Sequence, residues 1–381
     1  MKIGFLLGVS DKDICAFKNG QEGSYFLDDL YRKYSSLGHK VVVITMHPSI
    51  KRDFRTKYND NLIILGLAPL KHGNISAVFM FRYEIQKIKK IIHEEKFDII
   101  HAHWCYEYAM AALLENENKT IITLHDWPDI VCPLVGNYYW KKRQKLGNRV
   151  LEKAKVVTAV SPYIANLYKN KFPNRKISVI PNFIQKDMQN DVKKTKEYLG
   201  IVSINNGFNG RKNVKNLIIA FGILREKVPN ARLYLIGNEH EKNGIAYQWT
   251  KENADITNIS FLGQRTRGET LQILHDADIL VHPSLEESFG MTLIEAMQQR
   301  VFVIAGKDSG AVPWVLGHGK YGKLVDVTNA QEICNAIVSI YSNPTSRKKI
   351  VEQAFEYVNN TFSIDIVSES YLKLYSHITQ K

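Results

Sequence analysis

The 381-residue sequence lacks any long apolar run. A membrane-spanning helix needs about 20 consecutive apolar residues, and no window of the sequence approaches that length. The four cysteines, Cys15, Cys105, Cys132 and Cys334, are scattered singly and form no C-x-x-C pair. This spacing argues against a zinc site or a disulfide framework and favours a reducing, cytoplasmic environment.

Several sequence signatures are missing as well. No G-x-G-x-x-G follows the first apolar run, which disfavours an NAD-dependent dehydrogenase. No zinc-finger, basic-zipper or RNP signature occurs, so nucleic acid ranks last among the partners considered. The triplet Asp276-Ala-Asp278 stands at an expected helix-to-strand junction and is interpreted as structural. The short apolar start has no small-residue cleavage site, so we expect a first buried strand there and no secretory signal.

Positive charge is concentrated in the first half of the chain. Lys and Arg outnumber Asp and Glu by 28 to 17 in residues 1–183, a net of +11, and by 23 to 21 in the remainder, a net of +2. A basic half is either an ordinary solvated surface or an attractor for an anionic acceptor or an acidic membrane. Interleaved aromatic and basic residues at 138–149 suit either a lipid-headgroup interface or an exposed helix.

Short apolar runs alternate with amphipathic segments along the whole chain, which predicts α/β structure with parallel sheets flanked by helices. The strands expected in the first half are residues 3–7, 41–45, 62–65, 99–101, 120–124, 156–159 and 178–180. Those expected in the second half are residues 201–204, 232–236, 259–262, 279–282, 301–305 and 323–325. Near-continuous Val, Ile and Leu content is typical of strands covered on both faces.

This pattern predicts two Rossmann-like domains, residues 1–183 and 184–362, followed by a helix in residues 363–381 that packs back toward the N-terminal domain. Ligands of parallel sheets bind at the carboxyl ends of strands, so two facing sheets predict an interdomain cleft. Ser161-Pro162, Thr266-x-x-Glu269 and Thr328-x-x-Gln331 each indicate a helix start.

Residues 282–297 are the most informative segment. A strand is expected to end at His282 and a helix to begin near Gly290. The backbone N–H groups of Gly290, Met291 and Thr292 would then be free to bind a diphosphate, with the positive end of the helix dipole behind them. The lack of a side chain at Gly290 lets the backbone approach a phosphate closely.

Two glutamates bracket this helix start. Glu295 lies about one and a half turns into the helix, on the side facing its N-terminal end, where it can accept the hydroxyls of a ribose. Glu287, in the preceding loop, can accept the hydroxyls of a sugar. Acidic residues are favoured near helix starts in any case, so the pair alone leaves a purely structural role open.

A basic loop, residues 206–214, follows the first strand of the second half. Gly207 and Gly210 permit a tight turn, and Arg211 and Lys212 place positive charge beside an expected helix start. Arginine can grip two phosphate oxygens, while lysine acts as a mobile point charge. A solvated basic turn is the alternative.

In the first half, His125 and Asp126 directly follow the expected strand 120–124. A histidine at that position can hydrogen-bond a sugar or neutralise developing charge, although a loop histidine satisfied by Asp126 is the alternative. His103 ends the preceding strand and is a candidate acceptor contact, whereas His101 is interpreted as structural. The nearby histidines lack a carboxylate partner suited to a metal site, and no metal is expected.

The segment from Pro283 to Met297 resembles the E-x-seven-E signature of the retaining GT-B glycosyltransferases of family four. The resemblance implies that Glu287 contacts the donor sugar as a catalytic residue and that Glu295 binds the nucleotide ribose. Arg300 and Phe302 depart from the glycine and proline usual in the family. The other donor contacts implied here are Ser288, Phe289, Gly290, Met291 and Thr292.

Other parts of the chain resemble the same family. Lys212 matches the family's donor lysine, but Gly207 occupies the position of the arginine, so we expect Arg211 to supply that charge. Gly20-Gln-Glu-Gly23 resembles the family's glycine loop near the donor diphosphate, and Gly237 lies in the loop expected beside the nucleotide base. The resemblance also implies that His125 is catalytic near the reacting end of the donor sugar, with acceptor contacts from His103 and Asp126.

These features together predict a retaining glycosyltransferase of GT-B fold, independent of metals and cofactors. We expect it to move a hexosyl or N-acetylhexosaminyl group from a nucleotide diphosphate sugar, UDP by family frequency, to a sugar or lipid-linked saccharide. No protein nucleophile is evident, so we expect front-face attack by the acceptor hydroxyl. The high content of Lys, Ile and Asn suits a low-GC bacterium, and surface-polysaccharide assembly at the inner face of the plasma membrane is the expected role.

Two alternatives remain open from the sequence. A nucleotide-sugar epimerase of the same architecture would turn over without any acceptor. A non-catalytic nucleotide-sugar-binding protein would bind the donor and release it unchanged.

Overall fold

The computed structural model of the protein describes residues 1–19, 26–70, 73–185 and 196–380. Two compact units make up the chain: unit 1 comprises Met1–Pro181 and Ile364–Lys381, and unit 2 comprises Asn182–Ser363. The predicted donor glycines Gly20 and Gly23 lie outside the described residues. Within the described ranges, no helix has both the length and the apolar content that crossing a membrane requires.

Unit 1 begins with alternating strands and helices. Its strands are β1 (Lys2–Leu6), β2 (Lys40–Met46), β3 (Phe54–Asn59), β4 (Leu62–Leu67), β5 (Ile99–His103), β6 (Thr120–Leu124), β7 (Val156–Ala159) and β8 (Ser178–Val179). The helices between them are α1 (Asp11–Lys18), α2 (Phe26–Ser36), α3 (Gly73–Val78), α4 (Arg82–Glu95), α5 (Glu107–Asn116), α6 (Pro128–Val135), α7 (Tyr138–Lys153) and α8 (Pro162–Lys171), with a 3-10 turn at Glu117–Lys119. All seven strands predicted for this half are confirmed.

The unit 1 strands form one sheet in the order β3-β4-β2-β1-β5-β6-β7-β8. All neighbours are parallel except β3, which pairs antiparallel with β4. This antiparallel edge strand is not among the strands expected from the sequence. The side chains of β3 alternate between half-buried and exposed, because only one face of this edge strand is covered. Its sequence consequently lacks the apolar run by which the other strands are recognised.

Unit 2 repeats the alternation of strands and helices. Its strands are β9 (Gly200–Ile204), β10 (Arg232–Ile236), β11 (Ile259–Gly263), β12 (Ile279–His282), β13 (Phe302–Gly306) and β14 (Lys323–Val325). Its helices are α9 (Val214–Lys227), α10 (Ile245–Asn253), α11 (Arg267–His275), α12 (Met291–Gln298), α13 (Val312–Val315), α14 (Ala330–Tyr341) and α15 (Pro344–Thr361), with a 3-10 turn at Gly317–Gly319. The six predicted strands are confirmed.

The unit 2 sheet is fully parallel, in the order β11-β10-β9-β12-β13-β14. Its core is a cluster in which the apolar stripe of α9 packs on the central strands, through Leu217, Phe221 and Leu224 among others. Burying each such side chain contributes roughly 1.5–3 kcal/mol to folding. The chain leaves β9 toward one edge of the sheet and returns through β12 toward the other, so the loops after these two strands meet.

Helix caps follow the sequence signals with one exception. The Thr266–Glu269 capping box and the Ser161 cap before Pro162 are confirmed. The cap expected at Thr328 is wrong, because α14 is capped by Asn329, whose side chain accepts hydrogen bonds from two backbone N–H groups. Asparagine is among the strongest N-cap residues, and its position one residue later shifts the helix start.

The final helix, α16 (Ile364–Thr379), belongs to unit 1. The Tyr375 hydroxyl lies 2.6 Å from Nδ1 of His101, and the Tyr371 hydroxyl lies 3.0 Å from Oγ1 of Thr123. The Tyr34 hydroxyl donates to a backbone carbonyl of the same helix over 3.1 Å. These buried polar contacts fix α16 against the unit 1 sheet.

Candidate functional site

The unit 2 site is positioned by the topology of its sheet. Parallel sheets bind ligands at the carboxyl ends of strands where the strand order reverses, and in unit 2 this reversal lies between β9 and β12. The basic loop, residues 206–214, lies after β9, and the acid loop, residues 283–290, lies after β12. The two sequence segments with the strongest functional signals therefore lie side by side.

Hydrogen bonds tie the two loops together. The N–H of Leu285 donates to the carbonyl of Arg211 over 2.8 Å, and the side-chain amide of Asn213 donates to the carbonyl of Pro283 over 3.1 Å. Asn213 itself adopts a left-handed backbone with φ of 53°, which asparagine tolerates better than most residues. The basic loop, with Arg211 and Lys212, is thus fixed relative to the acid loop.

A third loop, after β13, braces the acid loop from the other side. The Ser309 hydroxyl donates to the carbonyl of Ser284 over 2.6 Å, and the N–H of Ala311 donates to the carbonyl of Glu287 over 2.9 Å. Ser309 and Ser284 are both buried. The backbone at Glu287 is therefore held in place before any ligand binds.

Glu287 is the centre of a charged cluster. Its Oε1 lies 2.5 Å from Nζ of Lys212 and 3.3 Å from Nε2 of His282. A proton on Nε2 of His282 satisfies this contact and leaves Nδ1 to accept from the Thr292 hydroxyl at 3.3 Å. Burial raises the pKa of a carboxyl, but the hydrogen bond from His282 and the charge of Lys212 outweigh it and hold the pKa of Glu287 well below its ordinary value. Glu287 is therefore ionised across the physiological pH range.

Arg211 lies beside this cluster. Its Nη1 donates to the backbone carbonyl of Glu286 over 3.3 Å and lies 4.0 Å from that residue's carboxylate. A guanidinium has five N–H donors in one plane, so Arg211 has further donors besides the one bonded to Glu286. Arg211 and Lys212 thus bring two cations to the same edge of the sheet.

Helix α12 begins at this cluster. Gly290 is its N-cap, with φ of 93°, a left-handed conformation that favours glycine. Met291 and Thr292 follow in its first turn, where backbone N–H groups lack helical acceptors and the dipole favours an anion. The half-buried Ser288 precedes this cap. The start of α12 therefore lies where the sequence predicts it, and anion binding by its first-turn amides remains a prediction.

The side chain of Phe289 points into the core of unit 2. It is 3% exposed, and its ring packs edge-on against those of Phe362 and Trp314 at 5.5 and 6.2 Å between centroids. The aromatic cluster anchors the turn before α12. Any donor contact by Phe289 is consequently left to its backbone.

Glu295 is half-buried on α12, in the part of the helix that follows the anion site. Burial raises its pKa to about 7, against a smaller lowering effect from the charge of Arg267. Between its ordinary pKa of 4.5 and about 7, folded protein keeps a proton that the unfolded chain has released. Burial of this carboxylate therefore weakens folding increasingly as the pH rises through that window, and fully above it.

Replacing Glu295 with glutamine removes this cost. We expect Glu295→Gln to increase the free energy of unfolding at pH 8 by about 1–3 kcal/mol, and by less at pH 5, where the native carboxyl is protonated. Urea denaturation at the two pH values measures the difference. Glu252→Gln, an exposed change in the same unit, is the control. An equal effect of Glu295→Gln at both pH values would contradict the assigned burial cost.

Gly237 directly follows β10 and lies beside the basic loop. Its N–H donates to the carbonyl of Gly263 over 2.9 Å, and its φ is 124°. A Cβ at this position would lie 2.0 Å from the backbone oxygen of Asn205. The loop predicted to lie near the nucleotide base is therefore packed directly against the start of the basic loop.

Unit 1 brings its own predicted residues together. Nδ1 of His103 and Nε2 of His125 are 2.8 Å apart, and the ring of Trp104 lies 4.6 Å from that of His125. Asp126 accepts a hydrogen bond from the Tyr106 hydroxyl over 3.2 Å. Burial and the neighbouring histidines hold the pKa of His103 well below its ordinary value, so His103 takes part in this hydrogen bond as a neutral ring.

His101 lies deeper in unit 1, fully buried beneath this pair. Its ring nitrogens contact the Tyr375 hydroxyl at 2.6 Å and the Thr123 hydroxyl at 2.7 Å. Burial lowers the pKa of His101 to about 3. It therefore acts as a neutral core histidine, in agreement with the structural role expected of it.

Comparison with known proteins agrees with this geometry. Residues 184–357 match the family described as glycosyl transferases group 1, and residues 23–187 match glycosyltransferase family 4. The two matches together span residues 23–357. The chain belongs to these glycosyltransferases.

Individual relatives of this glycosyltransferase support the assignment. N-acetyl-alpha-D-glucosaminyl L-malate synthase of Bacillus anthracis is 27% identical over 307 residues, covering 76% of this chain and 77% of that protein. Sucrose-phosphate synthase from Thermosynechococcus elongatus superposes with a TM-score of 0.79 at 18% identity, over 99% of this chain and 98% of that one. Anabaena Alr3699/HepE in complex with UDP-glucose gives 0.69 at 17% identity, over 99% and 100%. These likenesses show a GT-B fold.

One residue of the glycosyltransferase cluster was missed by sequence reasoning. The sequence pattern indicates only that a strand ends at His282, but its ring donates a hydrogen bond to Glu287 and its side chain is 3% exposed. The sequence does contain a signal for His282, because it is a polar residue at the carboxyl end of a predicted parallel strand. The same reasoning selects His125. Across the described ranges, no three His, Cys, Asp or Glu side chains are grouped closely enough to share a metal ion.

Proposed function

We propose that this glycosyltransferase moves a sugar from a nucleotide diphosphate sugar, with UDP as the nucleotide, to a hydroxyl of a saccharide acceptor with retention of configuration. The observation that carries the proposal is the Lys212–Glu287–His282 cluster beside the N-terminus of α12. The cluster offers ionised carboxylate, cations and free amides within one small region. Those are the groups that a diphosphate linked to a sugar requires.

In this proposal the leaving diphosphate is stabilised without a metal. The Lys212 ammonium has three N–H donors, so its contact with Glu287 leaves others for a phosphate oxygen. Arg211 and the amides following Gly290 add charge and hydrogen bonds where negative charge develops, which is the usual source of the largest catalytic effect. Glu287 accepts hydroxyls of the donor sugar.

We further propose that the acceptor hydroxyl attacks on the same face from which the diphosphate leaves. Lys212 and His282 both hold one oxygen of Glu287, which lowers the basicity of that carboxylate and makes it a weak nucleophile. Isolation of a covalent glycosyl–Glu287 species would overturn this step. His125, and the acceptor contacts of His103 and Asp126, remain predictions in unit 1.

Nucleotide titration tests the donor site directly. We expect calorimetry to show micromolar binding of UDP and weaker binding of GDP and ADP. Glu295→Ala should weaken UDP binding about 10-fold or more, because a carboxylate bonded to ribose hydroxyls is lost. Glu252→Ala, an exposed acid of the same unit, is the matched control. Absence of binding to all three nucleotides would refute the proposed function.

The proposed setting is bacterial polysaccharide or glycoconjugate synthesis. The name of the Bacillus anthracis relative describes the synthesis of a glycoconjugate, and the Anabaena structure contains UDP-glucose. Turnover of a UDP-sugar only in the presence of an acceptor distinguishes this function from epimerisation, which needs none. Binding without any turnover would favour a carrier protein.

We also propose peripheral membrane contact through an apolar face of unit 1. It comprises large side chains of α3, the turn after it, α4 and the α6–α7 junction, all 45–59% exposed. They are Ile75, Val78, Phe79, Tyr83, Leu134, Val135 and Tyr138. Helices α3 and α7 pack together, and exposed Arg82, Lys141 and Lys145 lie on the same segments. Apolar side chains among cations suit anionic lipid headgroups.

Vesicle co-sedimentation tests this surface. We expect the protein to sediment with phosphatidylcholine vesicles containing phosphatidylglycerol and far less with phosphatidylcholine alone. The double change Phe79→Ser with Leu134→Ser should reduce bound protein several-fold, because it removes inserted apolar area. Leu114→Ser, which alters an exposed leucine on α5, is the control. Failure to sediment with acidic vesicles would rule out the membrane contact.

A further inference from the structure

Two histidines of unit 1 share a hydrogen bond that links neighbouring strands. His103 is the last residue of β5, and His125 directly follows β6. β5 and β6 pair in parallel, so their carboxyl ends lie side by side. Nδ1 of His103 lies 2.8 Å from Nε2 of His125. Only one of these two nitrogens carries the proton of the bond, so the direction of the bond fixes where each ring is protonated.

The surroundings of His103 decide that direction. The residue is 1% exposed, and burial together with the neighbouring histidines holds its pKa well below the ordinary value, so its ring carries a single proton. Its Nε2 is buried and has no hydrogen-bond partner in the part of the chain that the structure describes. A proton there would be a buried N–H donor without an acceptor, which native structures rarely contain. On Nδ1 the same proton is donated to Nε2 of His125.

Neighbouring rings hold His103 in this position. The ring of His101 lies 4.2 Å from it between centroids, and the ring of Phe5 stacks nearly parallel to it at 5.9 Å. A buried ring with these contacts has little room to turn. His125 is half-buried, and its ring lies 4.6 Å from that of Trp104. His103 is therefore the fixed partner of the pair, and His125 is the one that a ligand can reach.

We infer that His103 is a positioning residue, which donates from Nδ1 to Nε2 of His125 and thereby keeps His125 as the neutral tautomer with its proton on Nδ1. Which nitrogen of a histidine is protonated is commonly set by the hydrogen bond that the other nitrogen makes. In this state Nε2 of His125 already accepts a hydrogen bond and does not take a proton from a hydroxyl, whereas Nδ1 is a donor. His125 then acts toward the sugar as a neutral hydrogen-bond donor and not as a general base. This role of His103 rests on the proposed function.

¹⁵N NMR of the full chain with labelled histidine tests the tautomer. Protonated and unprotonated ring nitrogens have well-separated ¹⁵N shifts, and the signals that His125→Gln removes are those of His125. At neutral pH we expect a proton on Nδ1 of His125 and none on Nε2, with or without UDP. A proton on Nε2 of His125 in the parent protein, alone or together with one on Nδ1, would overturn the inference.

Two variants of His103 separate positioning from packing. His103→Leu removes the hydrogen bond, so His125 should become a mixture of tautomers. With a responsive acceptor, kcat should fall several-fold while the Kd of UDP, which carries no sugar, stays unchanged. His103→Asn places an amide donor near the position of Nδ1 and should restore both the tautomer and most of kcat. His377→Leu, a change of an exposed histidine in the same unit, is the control.

Thermal melts identify the variants that are folded. An unchanged His125 tautomer in folded His103→Leu, or a loss of kcat that His103→Asn does not restore, would show that His103 only fills space. Failure of the parent protein to bind UDP would refute the proposed donor function and would leave the tautomer measurement as it stands. The two failures are therefore distinguishable.

Discussion

Lys212→Ala is expected to lower kcat/KM for the proposed UDP-sugar donor by about 100- to 1,000-fold, the usual effect of removing one preorganised charge at a developing anion. The ammonium lies 2.5 Å from Glu287 and is 12% exposed on its side chain, so water substitutes poorly for it. Steady-state kinetics with a responsive acceptor, together with UDP calorimetry, measure the loss. A kcat/KM within about threefold of the parent value would contradict the assigned role of Lys212.

Two further variants help to interpret the effect of Lys212→Ala. Lys227→Ala removes an exposed lysine from the end of α9 and should leave kinetics unchanged. Arg211→Ala tests whether this arginine supplies the charge for which Gly207 has no side chain. If Arg211→Ala leaves donor affinity intact while Lys212→Ala abolishes it, the idea that Arg211 compensates is wrong. Thermal melts of each variant separate lost chemistry from lost folding, because Glu287 becomes a less well-paired buried carboxylate without Lys212.

Gly237→Ala is expected to destabilise the protein by about 2–5 kcal/mol, combining the cost of a left-handed alanine with that of steric overlap. The added Cβ would lie 2.0 Å from the backbone oxygen of Asn205. This overlap cannot be relieved by a side-chain rotation, because the oxygen belongs to the backbone at the end of β9. For a unit of this size, the melting temperature should fall by roughly 5–15 °C. Differential scanning calorimetry is the measurement.

Gly222→Ala is the matched control for this change. Gly222 lies inside α9, where an added Cβ would meet no atom within 4 Å. In a helix interior, alanine is more favourable than glycine by about 0.5–1 kcal/mol of folding free energy. This variant should therefore be slightly more stable than the parent. Similar behaviour of the two alanine variants would show that the backbone at Gly237 is not constrained as described.

The predicted strands were correct wherever burial on both faces leaves a continuous apolar run, as in β2 and β13. Prediction failed at β3, whose alternating half-buried and exposed residues give no such run. The start of α14 was misplaced by one residue because Thr328 and Asn329 are both good caps, and only the local backbone selects between them. Local patterns therefore locate elements that bury two faces better than those at an edge.

The sequence by itself determined the α/β class, the segment 282–297 and the cations at Arg211 and Lys212. These properties follow from residue spacing within short windows, which is visible without a fold. Tertiary structure alone decided that Lys212 pairs with Glu287, 75 residues away, and that His282 joins them. It also decided that His103 bonds to His125, 22 residues away. Charge pairing and burial depend on distances between separate loops, and those distances exist only once the sheet order has brought the strand ends together.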